Sequence, residues 1–528
     1  MAEVAGTTPR AAIVFIGFMG AGKSAAARAA AERLGVEAHD SDVLIEAETG
    51  ERIADIFARE GEGEFRARER EVILPLLGRA ASSEEPFVVA LGGGAVEAAE
   101  VREALAGHLC VWCDVDEATA WERSSEDDTR PLAADRGGFS RRFEARAPVY
   151  RALARAILPA GAREAARGAA PWLVAMLGEP GTRMAWAEAD GGGYPAIVGE
   201  GAIGTLEAAR GAAAGTVPDR LFCVADGAAL SRHESLLPPR QATVEVEGAE
   251  SSKTLAEAER VLTSLAEAGA RRDDGVLAFG GGVAGDLAGF VAATYQRGIP
   301  VIQAPTTLVA QVDSAYGGKT GVDLPAAKNY VGAFHQPSAV LADPRVLSTL
   351  PAEELAAGFV EVLKTALLAG GELWDRVRSL DGLDPSRLGD VIFDCARTKI
   401  EVVASDERDS GRRAILNLGH TVGHGIEAAT GYARYRHGEA VGLGLLAALR
   451  LSDAGELRSE VEALLEAHGL PTRLDPSVDT DAVMEAIGRD KKATAEGVGF
   501  VLLSEPGRPR WGERVDADRV RACVEELR

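Results

Sequence analysis

Short β-branched apolar runs alternate with Ala-rich stretches of helical spacing along the first third of the chain. Ala11–Ile16, Phe87–Leu91 and Leu109–Asp114 are too short for helices and predict strands, the first breaking at Gly17 into a helical stretch. Strands separated by helical patterns predict a parallel sheet with crossover helices. The alternation fades after an Ala/Arg-rich helix ending near Leu177, and Gly178-Glu-Pro-Gly181 predicts a linker. A second α/β pattern begins near Arg183, with strands predicted at Ala196–Val198, Leu221–Val224, Val276–Phe279 and Val301–Gln303. Beyond about Leu347 strand signals nearly vanish, and the chain reads as helices to Arg528. Three bodies follow: an α/β domain with a parallel sheet over 9–177, a second α/β domain over 183–346, and an all-helical domain over 347–528, with 178–182 as the linker.

Composition narrows the function classes. With 46% hydrophobic and 26% charged residues the 528-residue chain has the make-up of an ordinary α/β protein. A net charge of −24 argues against nucleic acid or an anionic membrane as the main partner. No apolar run approaches the ~20 residues of a membrane span. No basic segment precedes the first apolar run, so a cytoplasmic location is expected. Cys110 and Cys113 form a C-x-x-C, but on a predicted strand, where positions three apart face opposite sides. They read as core residues rather than a redox or zinc pair.

Eight lysines stand against 49 arginines. Arginine evidently serves as the general surface cation, and the few lysines mark places that need a compact, flexible ammonium. They fall at Lys23, Lys253, Lys319, Lys328, Lys364, Lys399, Lys491 and Lys492. Lys23 closes Gly17-Phe-Met-Gly-Ala-Gly-Lys-Ser24, which fits G-x-x-x-x-G-K-[ST] between a predicted strand and a predicted helix. Backbone N–H groups there would cradle phosphates, with Lys23 on the β/γ oxygens and Ser24 on Mg²⁺. His39-Asp-Ser-Asp42 falls where a second strand would end, and Asp40 and Asp42, alternating on it, would face one side. One would hold Mg²⁺ through water while the other takes a proton from an acceptor hydroxyl.

Gly63-Glu-Phe-Arg66, Gly92-Gly-Gly94, Thr129-Arg-Pro-Leu132 and Arg146-Ala-Pro-Val-Tyr150 complete a set that closely resembles shikimate kinase, over about Pro9 to Leu177. The resemblance implies that Asp42, Arg66, Arg146 and the Gly92, Gly93 and Gly94 turn bind shikimate, whose carboxylate suits bidentate arginines. It implies ATP with Mg²⁺ on Gly20, Ala21, Gly22, Lys23, Ser24 and Ala25, with Asp40 assisting the metal. Arg123 would lie near the adenine, and Arg130 would come from a lid onto the phosphates.

Farther along, Phe279-Gly-Gly-Gly-Val-Ala-Gly-Asp286 follows a predicted strand and enters a helix, a turn that lets backbone approach a pyrophosphate. Leu418-Gly-His-Thr-Val-Gly-His424 puts His420 and His424 on one helix face, His437 follows, and Glu361 precedes Lys364 by three residues. A Glu/His/His set with an open position suits a catalytic Zn²⁺. These features, with the segment from Pro305 to Pro337, are similar to 3-dehydroquinate synthase, over roughly Arg183 to Arg528.

This second resemblance implies a Rossmann-like α/β domain followed by a helical metal-binding one. It assigns Zn²⁺ or Co²⁺ to Glu361, His420 and His437, and phosphate and proton handling to His424. Asp313, Lys319, Asn329, Lys364, Lys399, Arg413 and Asn417 would surround the substrate, with Arg297 and one of Lys491 and Lys492 reaching it. NAD⁺ would meet Glu250, Lys253, Gly282, Val283, Ala284, Gly285, Asp286, Thr306, Thr307, Lys319 and Lys328. The implied reaction converts 3-deoxy-D-arabino-heptulosonate 7-phosphate to 3-dehydroquinate and phosphate, with NAD⁺ reduced and regenerated in each turnover. A homodimer through this half is implied, with small molecules as the other partners. The alternatives are a related sugar-phosphate cyclase and a metal-dependent alcohol dehydrogenase, and the lysine set argues against the latter, since an uncharged alcohol needs no such cations.

Overall fold

In the computed structural model, which describes residues 11–125, 135–161, 163–325, 327–489 and 498–528, the first apolar runs are strands. The chain divides into two units, one running up to Ile197 and taking in Gly201–Asp219, the other made of Val198–Glu200 and Arg220–Arg528.

The first unit carries strands β1 (Ile13–Ile16), β2 (Ala38–Asp40), β3 (Val88–Ala90), β4 (Leu109–Asp114), β5 (Ala156–Pro159), β6 (Thr182–Ala187) and most of β7 (Tyr194–Gly199). Their order is β2-β3-β1-β4-β5-β6-β7, and every pairing from β2 to β6 is parallel. All four β1 side chains are buried, as a parallel sheet covered on both faces requires. Cys110 and Cys113 are buried in β4, and burial pushes both thiols up to about 12, in keeping with core packing. The helices are α1 (Lys23–Leu34), α2 (Ser41–Thr49), α3 (Ile53–Ala80), α4 (Ala99–Leu105), α5 (Glu117–Ser125), α6 (Arg136–Leu153), α7 (Arg163–Leu177) and α8 (Thr205–Ala212).

The segment 178–182 is a pinned turn. Arg155 donates to the carbonyls of Met176 (3.0 Å), Glu179 (2.8 Å) and Thr182 (3.1 Å). Beyond it β6 joins β5 in register, Ala156 opposite Met184.

The second unit has a parallel sheet ordered β14-β11-β10-β8-β9. Its strands are β8 (Leu221–Asp226), β9 (Ala242–Val246), β10 (Gly275–Gly280), β11 (Val301–Pro305) and β14 (Ala339–Ala342), and an antiparallel hairpin of β12 (Lys319–Leu324) and β13 (Ala327–Phe334) stands apart. Helices α9 (Gly227–His233), α10 (Leu255–Glu267) and α11 (Gly282–Thr294) accompany this sheet. Val276, Leu287 and Val291 are wholly buried in the core between sheet and helices, each contributing roughly 1.5–3 kcal/mol through burial.

The chain then becomes mainly helical, through α12 (Ala352–Ala369), α13 (Gly371–Arg378), α14 (Gly389–Ser405), α15 (His420–Ala429), α16 (His437–Leu451), α17 (Gly455–Ala467), α18 (Thr480–Gly488) and α19 (Ala517–Glu526). The expectation of helices alone misses one antiparallel hairpin, β15 (Gly499–Leu503) with β16 (Pro509–Arg514). Phe500, Val501, Leu502 and Leu503 are all buried, so their apolar run has no alternation to betray a strand. Among the described residues no helix is long and apolar enough to cross a membrane.

Candidate active sites

In the first unit β1 stops at Ile16, and a glycine loop turns the chain into α1. Gly20 has φ 79°, and a Cβ there would stand 2.8 Å from the Ala120 carbonyl oxygen, so only glycine fits. No acidic residue occupies the first turn of α1, leaving the positive end of its dipole for an anion. Lys23 opens the helix and its Nζ donates to the Phe18 carbonyl at 3.1 Å, folding the ammonium back over the loop. Ser24 and Ala25 follow on the same turn. Arg123, on α5, donates to the Gly20 carbonyl at 3.3 Å and so lies beside this loop.

The two aspartates differ from the expectation. β2 ends at Asp40, and Asp42 lies in the first turn of α2, so they do not alternate on one strand. Asp40 instead caps α2, accepting from the Asp42 N–H at 3.1 Å. An aspartate before a helix satisfies an orphan N–H there, and that ends the strand.

Asp42 nevertheless meets the glycine turn. A Cβ on Gly92 would lie 2.7 Å from Asp42 Oδ1 and 2.5 Å from Glu69 Oε1, and one on Gly93 would lie 3.3 Å from the Met19 nitrogen of the phosphate loop. The Arg66 guanidinium covers Gly94. Arg66 pairs with Glu69 at 2.7 Å and Glu62 at 3.2 Å, while buried Arg146 pairs with Glu97 at 2.8 Å. Burial raises the Glu69 carboxyl despite Arg66. Asp42, Arg66, Arg146, Gly92, Gly93 and Gly94 thus form one cluster beside Lys23's loop. Arg130 lies outside the described residues.

In the second unit three helices converge because glycines let them. A Cβ on Gly438 would collide with the Ala357 carbonyl of α12, and one on Gly444 with the Gly419 carbonyl before α15. Glu361 of α12 is 1% exposed. Its Oε1 has no hydrogen-bond partner, and the Nε2 atoms of His420 and His437 stand 3.5 and 3.7 Å from it. The other ring nitrogens are taken: His420 Nδ1 by the Leu418 carbonyl at 3.1 Å, His437 Nδ1 by Glu427 at 3.2 Å. That leaves both Nε2 lone pairs for a cation, the usual tautomer of a metal-binding imidazole. One carboxylate and two imidazoles fit Zn²⁺ or Co²⁺. Burial works against charge on His437, but Glu361 and Glu427 outweigh it and push its pKa up to about 10, so the field there favours a cation. His424 shares the face, its ring 5.4 Å from that of His420.

Lys364, one turn after Glu361, is 1% exposed and lies 2.5 Å from Glu361 Oε2 and 3.9 Å from Asp313. Lys399 of α14, also buried, is 2.7 Å from Asp313. A π-helical turn over Ala310–Ser314 presents that aspartate to both lysines. Burial raises the Asp313 carboxyl, but the two ammoniums outweigh it and hold it low. Buried Arg413 donates to the Gly317 carbonyl at 3.1 Å, and Lys319 contacts Asp409 at 2.5 Å. Asn417 stands three residues before His420 and donates to the Ala414 carbonyl.

The glycine turn closes β10 and opens α11 with Gly282, Val283, Ala284, Gly285 and Asp286. Thr306 donates to the Gly280 carbonyl at 2.9 Å, and a Cβ on Gly281 would meet the Thr307 methyl. Lys253 is buried between Asp286 (3.1 Å) and Glu250 (3.2 Å), with Lys328 3.8 Å from Glu250. The expected dinucleotide residues therefore adjoin. Asn329 is exposed on β13, its N–H donating to Asp323. Arg297 is not with them: exposed between α11 and β11, it sits at the sheet end opposite the glycine turn. Lys491 and Lys492 lie outside the described residues.

Family models match "Shikimate kinase" over 19–174, "3-dehydroquinate synthase N-terminal" over 243–357 and "3-dehydroquinate synthase C-terminal" over 358–493. A 3-dehydroquinate synthase of Halorhodospira halophila is 44% identical over 344 residues, which cover 62% of this chain and 94% of that protein. The chain belongs to the 3-dehydroquinate synthase family. It carries a shikimate kinase domain ahead of the synthase. The synthase of Symbiobacterium thermophilum is 46% identical over 297 residues, 54% of this chain and 83% of the relative. A solved 2-deoxy-scyllo-inosose synthase with carbaglucose-6-phosphate, NAD⁺ and Co²⁺ is 25% identical, with a TM-score of 0.56 over 66% of this chain and 99% of its own.

Sequence reasoning missed four residues that pack against the groups of these two sites. Glu427 orients His437, and Glu69 and Glu97 hold Arg66 and Arg146. Asp226 ends β8, caps α9 and blocks any side chain at Gly248. It neighbours a cavity of about 550 Å³ lined by Gly227, Glu245, Val246, Ser252, Thr254 and Arg260. An acid at a strand end was the available signal for Asp226, and the three-residue spacing from Arg66 for Glu69; nothing local marked Glu97 or Glu427.

Proposed function

We propose that the chain catalyses two reactions at separate centres: phosphorylation of shikimate by ATP, and conversion of 3-deoxy-D-arabino-heptulosonate 7-phosphate to 3-dehydroquinate and phosphate. The observation that carries the reading is the Glu361/His420/His437 set sharing its carboxylate with a fully buried lysine, a metal site built for an anionic substrate.

At the kinase centre Lys23 and the first turn of α1 hold the β/γ-phosphates of ATP, Ser24 and Asp40 serve Mg²⁺, and Arg123 flanks the nucleotide. Arg66 and Arg146 grip the shikimate carboxylate, Gly92, Gly93 and Gly94 leave room for its ring, and Asp42 takes the proton of the attacking hydroxyl. Arg130 serves the phosphates.

At the synthase centre NAD⁺, when bound, would take up a hydride from the substrate and return it, and Zn²⁺ or Co²⁺ held by Glu361, His420 and His437 would polarise hydroxyl oxygens. The solved relative holding NAD⁺ and Co²⁺ supports this cofactor pair. Lys364, Lys399, Arg413 and Lys319 neutralise the substrate's carboxylate and phosphate, and Asp313 spaces the two buried ammoniums. His424 moves the proton, while Asn329, Asn417 and one of Lys491 and Lys492 orient the substrate. Glu250, Lys253, Lys328, Thr306, Thr307 and Gly282 through Asp286 hold the dinucleotide. Arg297 reaches a substrate phosphate only in a second copy, since α11 and β11 separate it from its own centre, and this favours a homodimer. The working place is the cytoplasm.

The cyclase alternative shares the fold, yet 44% identity to a 3-dehydroquinate synthase against 25% to the inosose synthase favours the first. A dehydrogenase would have no use for two buried lysines beside its metal. The test scores ADP formation with shikimate and phosphate release from the heptulosonate on one preparation; absence of either refutes that half, and NADH accumulating with product refutes the synthase reading.

A further inference from the structure

The Arg66 and Arg146 guanidiniums face each other across a carboxylate that belongs to the protein. Glu97 ends the short helical turn Ala95–Glu97 that follows the glycine triplet. One of its oxygens, Oε2, lies 2.8 Å from Arg146 Nη2 and 3.9 Å from Arg66 Nη2. Arg146 is 3% exposed at its side chain, whereas Glu97 is 44% exposed. The guanidinium is therefore fixed in place, and the carboxylate can rotate into water by side-chain torsion alone.

Two arginines sharing one carboxylate oxygen is the contact that a bound carboxylic acid would make with them. Charge points the same way. Asp42, Glu62, Glu69 and Glu97 set four carboxylates against two guanidiniums, so this cluster has no positive charge left for an incoming anion. Glu69 and Glu62 hold Arg66 from its own helix α3; Glu69 is 2% exposed, and Glu62, though open to water, does not reach Arg146 among the described ion pairs. Glu97 alone of the three glutamates bridges both arginines and opens to solvent.

We propose that Glu97 is a stand-in carboxylate: it fills the place of the substrate's carboxylate in the empty kinase centre and must swing out for the acid substrate to bind. It thereby sets the affinity and acid selectivity of that centre. The proposal rests on the reading that Arg66 and Arg146 grip the shikimate carboxylate. A competing internal anion lowers apparent affinity by the fraction of molecules in which the arginines are free. For a pair with one buried and one half-exposed partner that amounts to roughly three- to tenfold.

The experiment measures KM for shikimate and for its methyl ester, which lacks the anion, by ADP formation with the full chain and with Glu97→Gln. In the unaltered chain the ester's KM should far exceed that of shikimate. Glu97→Gln should lower the shikimate KM by roughly three- to tenfold and leave the ester's KM within about twofold. If the ester binds poorly but Glu97→Gln leaves the shikimate KM unchanged, or lowers both KM values alike, Glu97 is no competitor and the proposal falls while the arginine reading stands. If ester and acid bind equally in the unaltered chain, the arginine reading fails and the proposal with it. Thermal melting of Glu97→Gln, an exposed position, checks that the fold is unchanged.

Discussion

At the kinase centre Lys23, Asp42 and Glu97 come from helix ends and turns, while Arg66 and Arg146, from within α3 and α6, meet glutamates that water also reaches, Glu62 and Glu97 among them. At the synthase centre Lys364 and Lys399 project from the interiors of α12 and α14, and both are buried against Asp313 and Glu361. The contrast follows from desolvation. An ammonium withdrawn from water needs a dedicated counter-charge at close range, and two lysines against two carboxylates provide it. A planar guanidinium satisfies several partners at once and can exchange them. Six lysines are described: Lys23 on the phosphate loop and five at the synthase, where Lys253 and Lys328 share Glu250.

The largest expected effect separates the two centres. Lys23→Ala should lower shikimate phosphorylation by about 10³-fold or more and leave phosphate release from the heptulosonate intact; loss of both would show that the centres are coupled. His437→Ala removes one of the three proposed metal ligands, so metal content by mass spectrometry and synthase activity should fall together while ADP formation persists.

Glu427→Gln tests the hydrogen bond behind His437. It should weaken metal binding by about 10- to 100-fold in a chelator competition, a readout independent of turnover. An unchanged affinity would mean that Glu427 merely packs. A separate effect, on stability, concerns Asp286, which burial pushes up to about 6 against the pull of Lys253. The folded chain keeps a proton that the unfolded chain releases between about pH 4 and 6, so stability falls as pH rises through that window, by up to about 3 kcal/mol. Asp286→Asn should remove this slope from the melting temperature against pH; an unaltered slope would place the titration elsewhere.

Much of both centres was legible because local patterns carried them. The phosphate loop is eight consecutive residues between a strand and a helix, and His420 and His424 share a helix face at a spacing of four. Contacts between distant segments were not legible. Glu427 meets His437 only because α15 and α16 lie side by side, and Glu97 meets Arg146 49 positions away. Asp40 and Asp42 were misplaced because a helix cap competed with strand extension and won. β12 and β13 carry Gly321, Asn329 and Gly332 in a hairpin that bulges, which hides their alternation. Arg297 was identified by its motif, but only the topology shows that it lies at the far end of the sheet.

Chelator treatment followed by paired assays on one sample tests the central claim of two self-sufficient centres most directly. The account predicts that stripping the divalent ion abolishes phosphate release from the heptulosonate, that Zn²⁺ or Co²⁺ but not Mg²⁺ alone restores it, and that ADP formation with shikimate in excess Mg²⁺ is unaffected throughout. Phosphate release that survives complete metal removal, or recovers with Mg²⁺ alone, would contradict it.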